Sequence, residues 1–349
     1  MSVVIVGIDE AGYGPMLGPL TIGMASFELA GWKEGNAAPD LWAVLERAVC
    51  RRPNDKRARI AIDDSKTLKL GKDGKRHPLT HLERGVLGFV HAMGRPCTTD
   101  AQLRESLSTL IEDHPWYGGD DVSLPLEPAN SGYTLAANVL TGAMRDGGVT
   151  CLDLRCVAVC ESKYNEVISR CGKPATTELG LLSHMRHAWM QWGTNGLGGL
   201  GGTDDATELT RVVCDAQSGR IRYGDLLNRF LEVTHATGGG MEVLEESAVA
   251  SRYRVFGLDA DGNKRALLVS FQSEGEGRHL PIALASMVAK LSREIAMVRL
   301  NRHWIAKAKA ARLAEVRPTA GYWEDSKRFL AELSPIMPAN VRTMMMRIG

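Results

Sequence analysis

The stretch Val6-Gly-Ile-Asp-Glu-Ala-Gly-Tyr-Gly-Pro-Met-Leu-Gly-Pro19 constrains this chain more than any other. A β-branched apolar run, Val3 to Ile8, reads as a strand and ends in two adjacent carboxylates, Asp9 and Glu10. Gly12, Gly14 and Pro15 follow at once, which permits a tight turn and lets another backbone come close. Neighbouring side chains on a regular strand point to opposite faces. Both acids therefore share a site only if the chain leaves the strand at Asp9. Two carboxylates and exposed backbone at the end of a buried strand suit a hard cation and a phosphate. An exposed acidic turn after an edge strand is the plainer reading of the same residues.

At 349 residues, 44% hydrophobic and 24% charged, the chain is that of a globular protein with a sizeable core. No apolar run approaches the ~18 residues of a membrane span. The first residues enter a strand without a basic n-region, so no signal peptide is expected. Seven cysteines lie scattered and form no CxxC pair, which points to neither a disulfide framework nor a thiolate zinc site. A cytoplasmic location and a monomer are the expectations. The net charge of +1 does not announce nucleic acid, although basic residues cluster at 51–57, 66–76 and 299–312. Each of those runs also reads as a solvated face.

Strand patterns fall near 3–8, 20–28, 58–62, 152–159, 209–215 and 264–271, and helix patterns near 38–51, 80–93, 133–145, 176–192, 222–234, 281–312 and 324–333. The alternation predicts an α/β fold, a mixed sheet with helices on both faces. One domain spans 1–349, with insertions near 94–130 and 193–205 and a helical part over 300–349. Gly193 to Gly202 lacks the lysine and Ser/Thr of a phosphate loop and reads as a linker. Asp259 to Asn263 reads as a turn between two strands.

Two further segments bear on the acidic site. Leu209-Thr-Arg-Val-Val-Cys-Asp215 is an apolar run ending in a carboxylate, and ligands of open α/β sheets bind beyond the carboxyl ends of strands. Asp215 is thus placed for a third metal ligand, or for an ordinary turn. The helix opening at Pro281 is apolar nearly all round, interrupted by Ser286, Lys290, Arg293 and Glu294, which fall on about a third of its circumference. Buried Lys and Glu one turn apart are costly unless paired or liganded. A site and a self-satisfied ion pair are both open readings.

These residues carry a resemblance. Gly7-Ile-Asp-Glu-Ala-Gly-Tyr-Gly-Pro resembles the opening G-[IV]-D-E-[AV]-G-R-G-P of type 2 ribonucleases H (ribonuclease HII). Asp64-Ser-Lys-Thr-Leu68 resembles that family's D-S-K-K-L, and Ala285-Ser-Met-Val-Ala-Lys-Leu-Ser-Arg-Glu294 its A-S-[IL]-[IVL]-A-K-V-x-R-D. Gly321-Tyr322 with Phe329-Leu-Ala-Glu-Leu is a looser echo of G-Y-[PG]-T-x-x-H-L-x-x-L. The motifs stand in the family's order and cover about a fifth of the chain.

The resemblance implies a ribonuclease H-like mixed five-stranded sheet flanked by helices, and four carboxylates holding two Mg²⁺ or Mn²⁺ ions. Asp9 and Glu10 match the first two acids, Asp215 is the candidate third, and Glu294 stands where the motif has Asp. It implies a metal-dependent endonuclease that hydrolyses the RNA strand of RNA–DNA hybrids or cleaves at ribonucleotides embedded in duplex DNA. Two ions clamp the attacking and leaving oxygens of an in-line displacement at phosphorus. By the same resemblance, Gly12, Tyr13 and Gly14 meet the 2′-hydroxyl. Ser65, Lys66, Ser286 and Lys290 hold phosphates, and Tyr322 stacks near the junction. Tyr13 replaces the family's Arg, Glu294 is one methylene longer than Asp, and Trp323-Glu324 replaces Pro-Thr. Those changes bear on substrate recognition and metal spacing. Glu276 reads as an exposed turn or an auxiliary ligand, and His187, His279 and His303 as structural. The alternatives are a catalytically weak relative that binds hybrid or branched nucleic acid, and an actin-like phosphotransferase. The latter needs a second glycine-loop phosphate motif near mid-chain, and 150–215 offers none that convinces.

Overall fold

The computed structural model describes residues 2–32, 39–53, 55–69, 76–127, 132–193, 210–217 and 219–349. The insertion expected near 193–205, with its linker over Gly193–Gly202, lies outside the described residues from 194 onward. Among the described residues the strands are β1 (Ser2–Ala11), β2 (Leu20–Ala30), β3 (Val49–Cys50), β4 (Ile60–Ala61), β5 (Val149–Val159), β6 (Thr210–Asp215), β7 (Thr237–Glu246), β8 (Ala250–Leu258) and β9 (Lys264–Gln272). The helices are α1 (Leu41–Val44), α2 (Ser65–Leu68), α3 (Thr80–Ala92), α4 (Asp100–Ser106), α5 (Tyr133–Asp146), α6 (Glu161–Cys171), α7 (Pro174–Trp192), α8 (Gly224–Val233), α9 (Leu280–Ala310), α10 (Trp323–Glu332) and α11 (Ala339–Met345). None of them is long and apolar enough to cross a membrane.

The main sheet has the order β5-β2-β1-β6-β9-β8-β7. β1 is antiparallel to β2 and parallel to β6, and β6 is parallel to β9. This is the mixed sheet flanked by helices that was expected, but with seven strands among the described residues. β5, β2, β1, β6 and β9 make a five-stranded mixed sheet, and the β7–β8 hairpin extends it beyond β9. β7 gives no strand signal in the sequence. It carries Gly238, Gly239 and Gly240 and three glutamates, residues depleted in strands, and it is exposed along most of its length. β8 does alternate, with Tyr253 and Val255 inward and Arg252 outward, and Arg252 and Arg254 stand opposite Glu245 and Glu242 of β7. The expected turn at 259–263 is present: the Asp259 carboxylate accepts from the N–H groups of Asp261 and Asn263.

The helix expected over 38–51 is reduced to α1 in the described residues. Val49 and Cys50 instead pair in parallel with Ile60 and Ala61 beneath α3. The strand expected over 58–62 is short because Ala58 takes a left-handed turn (φ 54°). Residues 94–127 form α4 and a loop whose Leu103, Leu107, Trp116 and Tyr117 are buried in the core. Arg299 of α9 anchors this loop, donating from Nη2 to Asp100 Oδ1 at 2.7 Å.

Two cores sandwich the sheet. On one face Ile5, Ala25, Phe27 and Val213 pack under α9, α3 and α5. On the other, Val6, Ile8, Val212 and Cys214 pack under α7 and α8. α9 lies directly on the backbone of β1 and β2. A Cβ on Gly7 would stand 2.2 Å from the Pro281 carbonyl carbon, and one on Gly23 would stand 2.1 Å from Ala285 O. Thr21 Oγ1 adds a bond to Ala289 O at 2.9 Å. The helix therefore follows β1 from Gly7 toward its carboxyl end and carries its polar stripe to the strand ends.

Gly7→Ala is expected to destabilise the protein by roughly 2 kcal/mol or more, because backbone rather than a flexible side chain must yield. Gly14→Ala, with nothing within 4 Å of the added carbon, should stay within about 0.5 kcal/mol of wild type. Urea midpoints for the two variants check this.

Candidate active site

Register places the first acids. β1 and β6 pair up to Ile8↔Cys214, so Asp9 and Asp215 occupy matching positions just beyond, on the face under α9. β1 does not break at Asp9, contrary to expectation: Asp9, Glu10 and Ala11 remain paired with Gly23, Ile22 and Thr21. Asp9 and Glu10 therefore leave the strand on opposite faces and approach each other only around its carboxyl end. The Glu10 N–H donates to Asp9 Oδ1 at 2.7 Å. On its own face Glu10 borders a cleft of about 560 Å³ that Tyr13, Glu178, Arg220 and Arg229 also line.

A fourth carboxylate joins from the turn between β9 and α9. Glu274 adopts a left-handed conformation (φ 56°), and the one-turn helix Gly275–Gly277 follows. The Gly275 N–H donates to Asp215 Oδ1 at 3.1 Å. This turn brings the half-buried Glu276 against Asp215, with Glu276 Oε2 buried and without a hydrogen-bond partner among the described residues. Local composition favours an exposed turn here. The departure is tertiary, since the turn is pinned between Asp215 and Ile282.

The electrostatics follow from burial and crowding. Burial raises the Asp9 carboxyl well above its usual range, and Glu10, Asp215 and Glu276 raise it further, while Ser286 opposes them with a hydrogen bond. Burial also raises Glu10, with Lys66 pulling the other way. Asp215 is pushed up to about 7 by burial and by Glu276. Like charges held close in a desolvated site cannot all ionise without a cation.

Glu294 is placed differently from the other three expected acids. Its Oε1 lies 2.6 Å from Lys69 Nζ and 3.2 Å from Lys290 Nζ. Burial would push this carboxyl up, but Lys69 and Lys290 bring it below its ordinary value. Ser286, Lys290 and Glu294 share one face of α9 at successive turns, so Glu294 lies about 12 Å along the helix from the Ser286 position. The open question of a site or a self-satisfied pair thus resolves in two parts. The Ser286 end meets Asp9, and the Glu294 end is an ion cluster with Lys290, Arg293 and Lys69, the residue just past α2.

The other expected residues gather around the acids. Asp64 caps α2 by accepting from the Lys66 N–H at 2.8 Å, which leaves the Lys66 side chain exposed. Ser65 is buried and accepts from Ser286 Oγ at 3.1 Å. Gly12 (φ 88°) has no room for a Cβ, which would meet Arg293 Cδ at 2.5 Å. Arg293 is fully buried and donates from Nη2 to Leu17 O and Ala320 O. Gly321 O accepts from the N–H groups of Met16 and Leu17, which sets Tyr322 beside the glycine loop. Tyr13 and Tyr322 are exposed, with Lys173 over the Tyr13 ring. The histidines serve the scaffold: His187 lies 3.2 Å from Asp153, His279 Nε2 lies 3.0 Å from Gln272 Oε1, and His303 packs edge-on to Trp304.

The donors at the strand ends are all carboxylate oxygens, as a hard divalent cation requires. As they stand, no group of three or more acidic, histidine or cysteine side chains among the described residues is drawn into a coordinating arrangement. The donor chemistry nonetheless fits such an ion. Asp9, Glu10, Asp215 and Glu276 would hold it, because among the described residues Glu276 Oε2 is buried without a partner, and burial and like charge raise Asp9 and Asp215.

A sign for pH follows. Asp215, raised from 3.8 to about 7, binds a proton in the folded state that the unfolded chain has released. Its favourable contribution is complete below pH 3.8 and is lost as pH rises through about 7. In EDTA the melting temperature should therefore fall between pH 5 and pH 8. Mg²⁺ or Mn²⁺ should raise it more at pH 8 than at pH 5. Differential scanning fluorimetry in the two media tests this, and a metal effect independent of pH would contradict it.

No protein-family model matches this chain, and no curated protein matches it. Among solved structures it is similar to the ribonuclease HII of Archaeoglobus fulgidus, solved in a complex with PCNA. That match has 13% identity over 99% of this chain and 94% of that one, with a TM-score of 0.41. It is also similar to ribonuclease H2 from Pyrococcus horikoshii OT3, with 13% identity over 98% and 97% of the two chains and a TM-score of 0.36. Bst-RNase HIII in complex with Mn²⁺ matches at 12% identity over 98% of this chain and 69% of that one, with a TM-score of 0.32. Likeness at this level decides neither family nor activity, so a functional reading rests on the site itself.

Proposed function

We propose that this protein is a divalent-metal-dependent endonuclease of the ribonuclease H kind. It would hydrolyse the RNA strand of RNA–DNA hybrids or cut at ribonucleotides embedded in duplex DNA. One observation carries the reading: Asp9, Glu10, Asp215 and Glu276 gather at the carboxyl ends of β1 and β6, where burial and like charge raise Asp9 and Asp215. Beside them stand the glycine loop, the exposed Lys66 and the aromatic Tyr322.

Two divalent ions, when bound, supply Lewis-acid stabilisation to both the attacking and the leaving oxygen of a phosphodiester. The chain's own residues do the rest. Asp9 and Asp215 provide charge from adjacent parallel strands, and Glu10 and Glu276 extend it to either side. Ser286, whose hydroxyl donates to Ser65 Oγ, ties α9 to the Ser65–Lys66 segment beside Asp9. Lys66 offers a cation to a neighbouring phosphate. Tyr322 and Tyr13 offer exposed rings to a sugar or base. The Lys69–Glu294–Lys290 group locks α2 to α9, so that the segment bearing Ser65 and Lys66 keeps its place. Glu276 thereby takes the fourth acidic place in this reading, and Glu294 a scaffold place.

A second reading, a protein that binds such duplexes with little turnover, is favoured because the carboxylates among the described residues do not converge into a ligand sphere. Three end-labelled duplexes separate the two: all-DNA, one with a single ribonucleotide, and a full RNA–DNA hybrid, each in Mg²⁺ and in Mn²⁺. Cleavage confined to ribonucleotide-containing strands and lost in Asp9→Asn is the expected result. Ribonucleotide-dependent binding without cleavage would select the second reading. Neither cleavage nor binding would overturn both.

The fourth acid is tested in the same assay. Glu276→Gln should lower kcat/KM by ~10²-fold or more, as loss of a metal-holding group does, whereas Glu294→Gln should stay within about tenfold. The reverse order would return the fourth place to Glu294.

A further inference from the structure

We propose that Arg347 is the positioning residue of the Gly12–Gly14 loop, and that discrimination of ribose from deoxyribose depends on it. The ribose part rests on the function proposed above. Arg347 is separated from Gly12 by 335 residues, yet its guanidinium lies beneath the loop. Nη2 donates to Gly12 O at 2.6 Å and to Tyr13 O at 3.4 Å, and Nε donates to Pro15 O at 2.9 Å. Its own backbone N–H donates to Met16 O at 2.9 Å. A guanidinium is a rigid planar fork, so one side chain fixes several peptide planes at once.

The consequence is stereochemical. In a trans peptide the carbonyl and the following N–H point in opposite directions. With Gly12 O and Tyr13 O turned inward to Arg347, the N–H groups of Tyr13 and Gly14 turn outward. Among the described residues neither N–H has a protein acceptor. They form a pair of free donors next to Glu10, at the height of the acidic cluster, and suit a ligand hydroxyl or phosphate oxygen. A 2′-hydroxyl is the oxygen that a ribonucleotide has and a deoxyribonucleotide lacks.

Arg347 is an expensive way to hold a turn. It is 5% exposed, and no carboxylate among the described residues pairs with it. Its face is covered by the Tyr164 ring, 4.3 Å from the guanidinium carbon. The segment that carries it is tied to α6 by Asn165, which donates from Nδ2 to Met346 O at 2.8 Å and accepts from the Ile348 N–H at 2.9 Å. A buried cation paired only with carbonyls costs stability. Its placement under this loop is what positioning of the outward amides requires.

The test compares wild type, Arg347→Met, Arg347→Lys and Asn165→Ala as full chains. Binding is measured in Ca²⁺ to an all-DNA duplex and to the same duplex carrying one ribonucleotide. The backbone amide chemical shifts of residues 12–14 are followed by NMR. Wild type should prefer the ribonucleotide duplex. Arg347→Met should lose about tenfold of that preference, as misplacement of a recognition group does, with all-DNA affinity and the Mn²⁺-induced melting shift retained. The amide chemical shifts of Tyr13 and Gly14 should move. Arg347→Lys, which keeps the charge but not the fork, should fall between. Asn165→Ala should shift the preference in the same direction by less, and it carries the test if Arg347→Met does not fold. A merely structural staple would weaken both duplexes equally and leave the ratio unchanged, which would overturn the proposal. A wild type without ribonucleotide preference would overturn the functional reading. The amide chemical shifts alone would then decide whether Arg347 sets the loop.

Discussion

The seating of α9 on bare backbone is the interaction on which the rest of the structure depends. Gly7 and Gly23 face each other's neighbours across β1 and β2, and neither has room for a single carbon beneath Pro281 and Ala285. This closeness puts Ser286 within reach of Asp9, fixes the direction in which the helix leaves the sheet, and brings Arg293 under Gly12. A side chain at either glycine would lift the helix and open the acidic cluster to water. The desolvation that raises Asp9, Glu10 and Asp215 is therefore a result of backbone packing as much as of the acids themselves.

The charge pattern divides in two along α9. Near Ser286 the acids outnumber the cations and are pushed toward protonation. Near Glu294 the cations Lys69, Lys290 and Arg293 outnumber the acid. The proposed function, which joins a divalent ion to a polyanion, needs both regions, kept apart so that they do not neutralise each other. The i, i+4 spacing of Ser286, Lys290 and Glu294 separates them by whole turns.

Much of this is written locally in the sequence. The strand that ends at Asp9-Glu10, the apolar run into Asp215 and the nearly all-apolar α9 are periodic or continuous patterns, and the helix expected over 281–312 is observed over Leu280–Ala310. What the sequence hides is set by long-range contact. β7 forms because β8 offers it a partner, although its glycines and glutamates argue against a strand. Glu276 sits in a Glu-Gly-Glu-Gly turn that composition assigns to solvent, and the Asp215–Gly275 hydrogen bond with packing on Ile282 turns it inward. Glu294 shares the motif and the stripe of the site residues, yet Lys69 of the neighbouring segment claims it. Arg347 has no local signal at all, because the loop it holds lies at the other end of the chain.

The central claim is that the four carboxylates at the ends of β1, β6 and β9 form a divalent-cation site. Crystals of the protein grown with Mn²⁺ and measured at the manganese absorption edge test it directly. The account predicts anomalous peaks between Asp9 and Asp215, with Glu276 as a ligand and Glu294 still paired with Lys69 and Lys290. Peaks at Glu294, or none at the strand ends at saturating Mn²⁺, would contradict it.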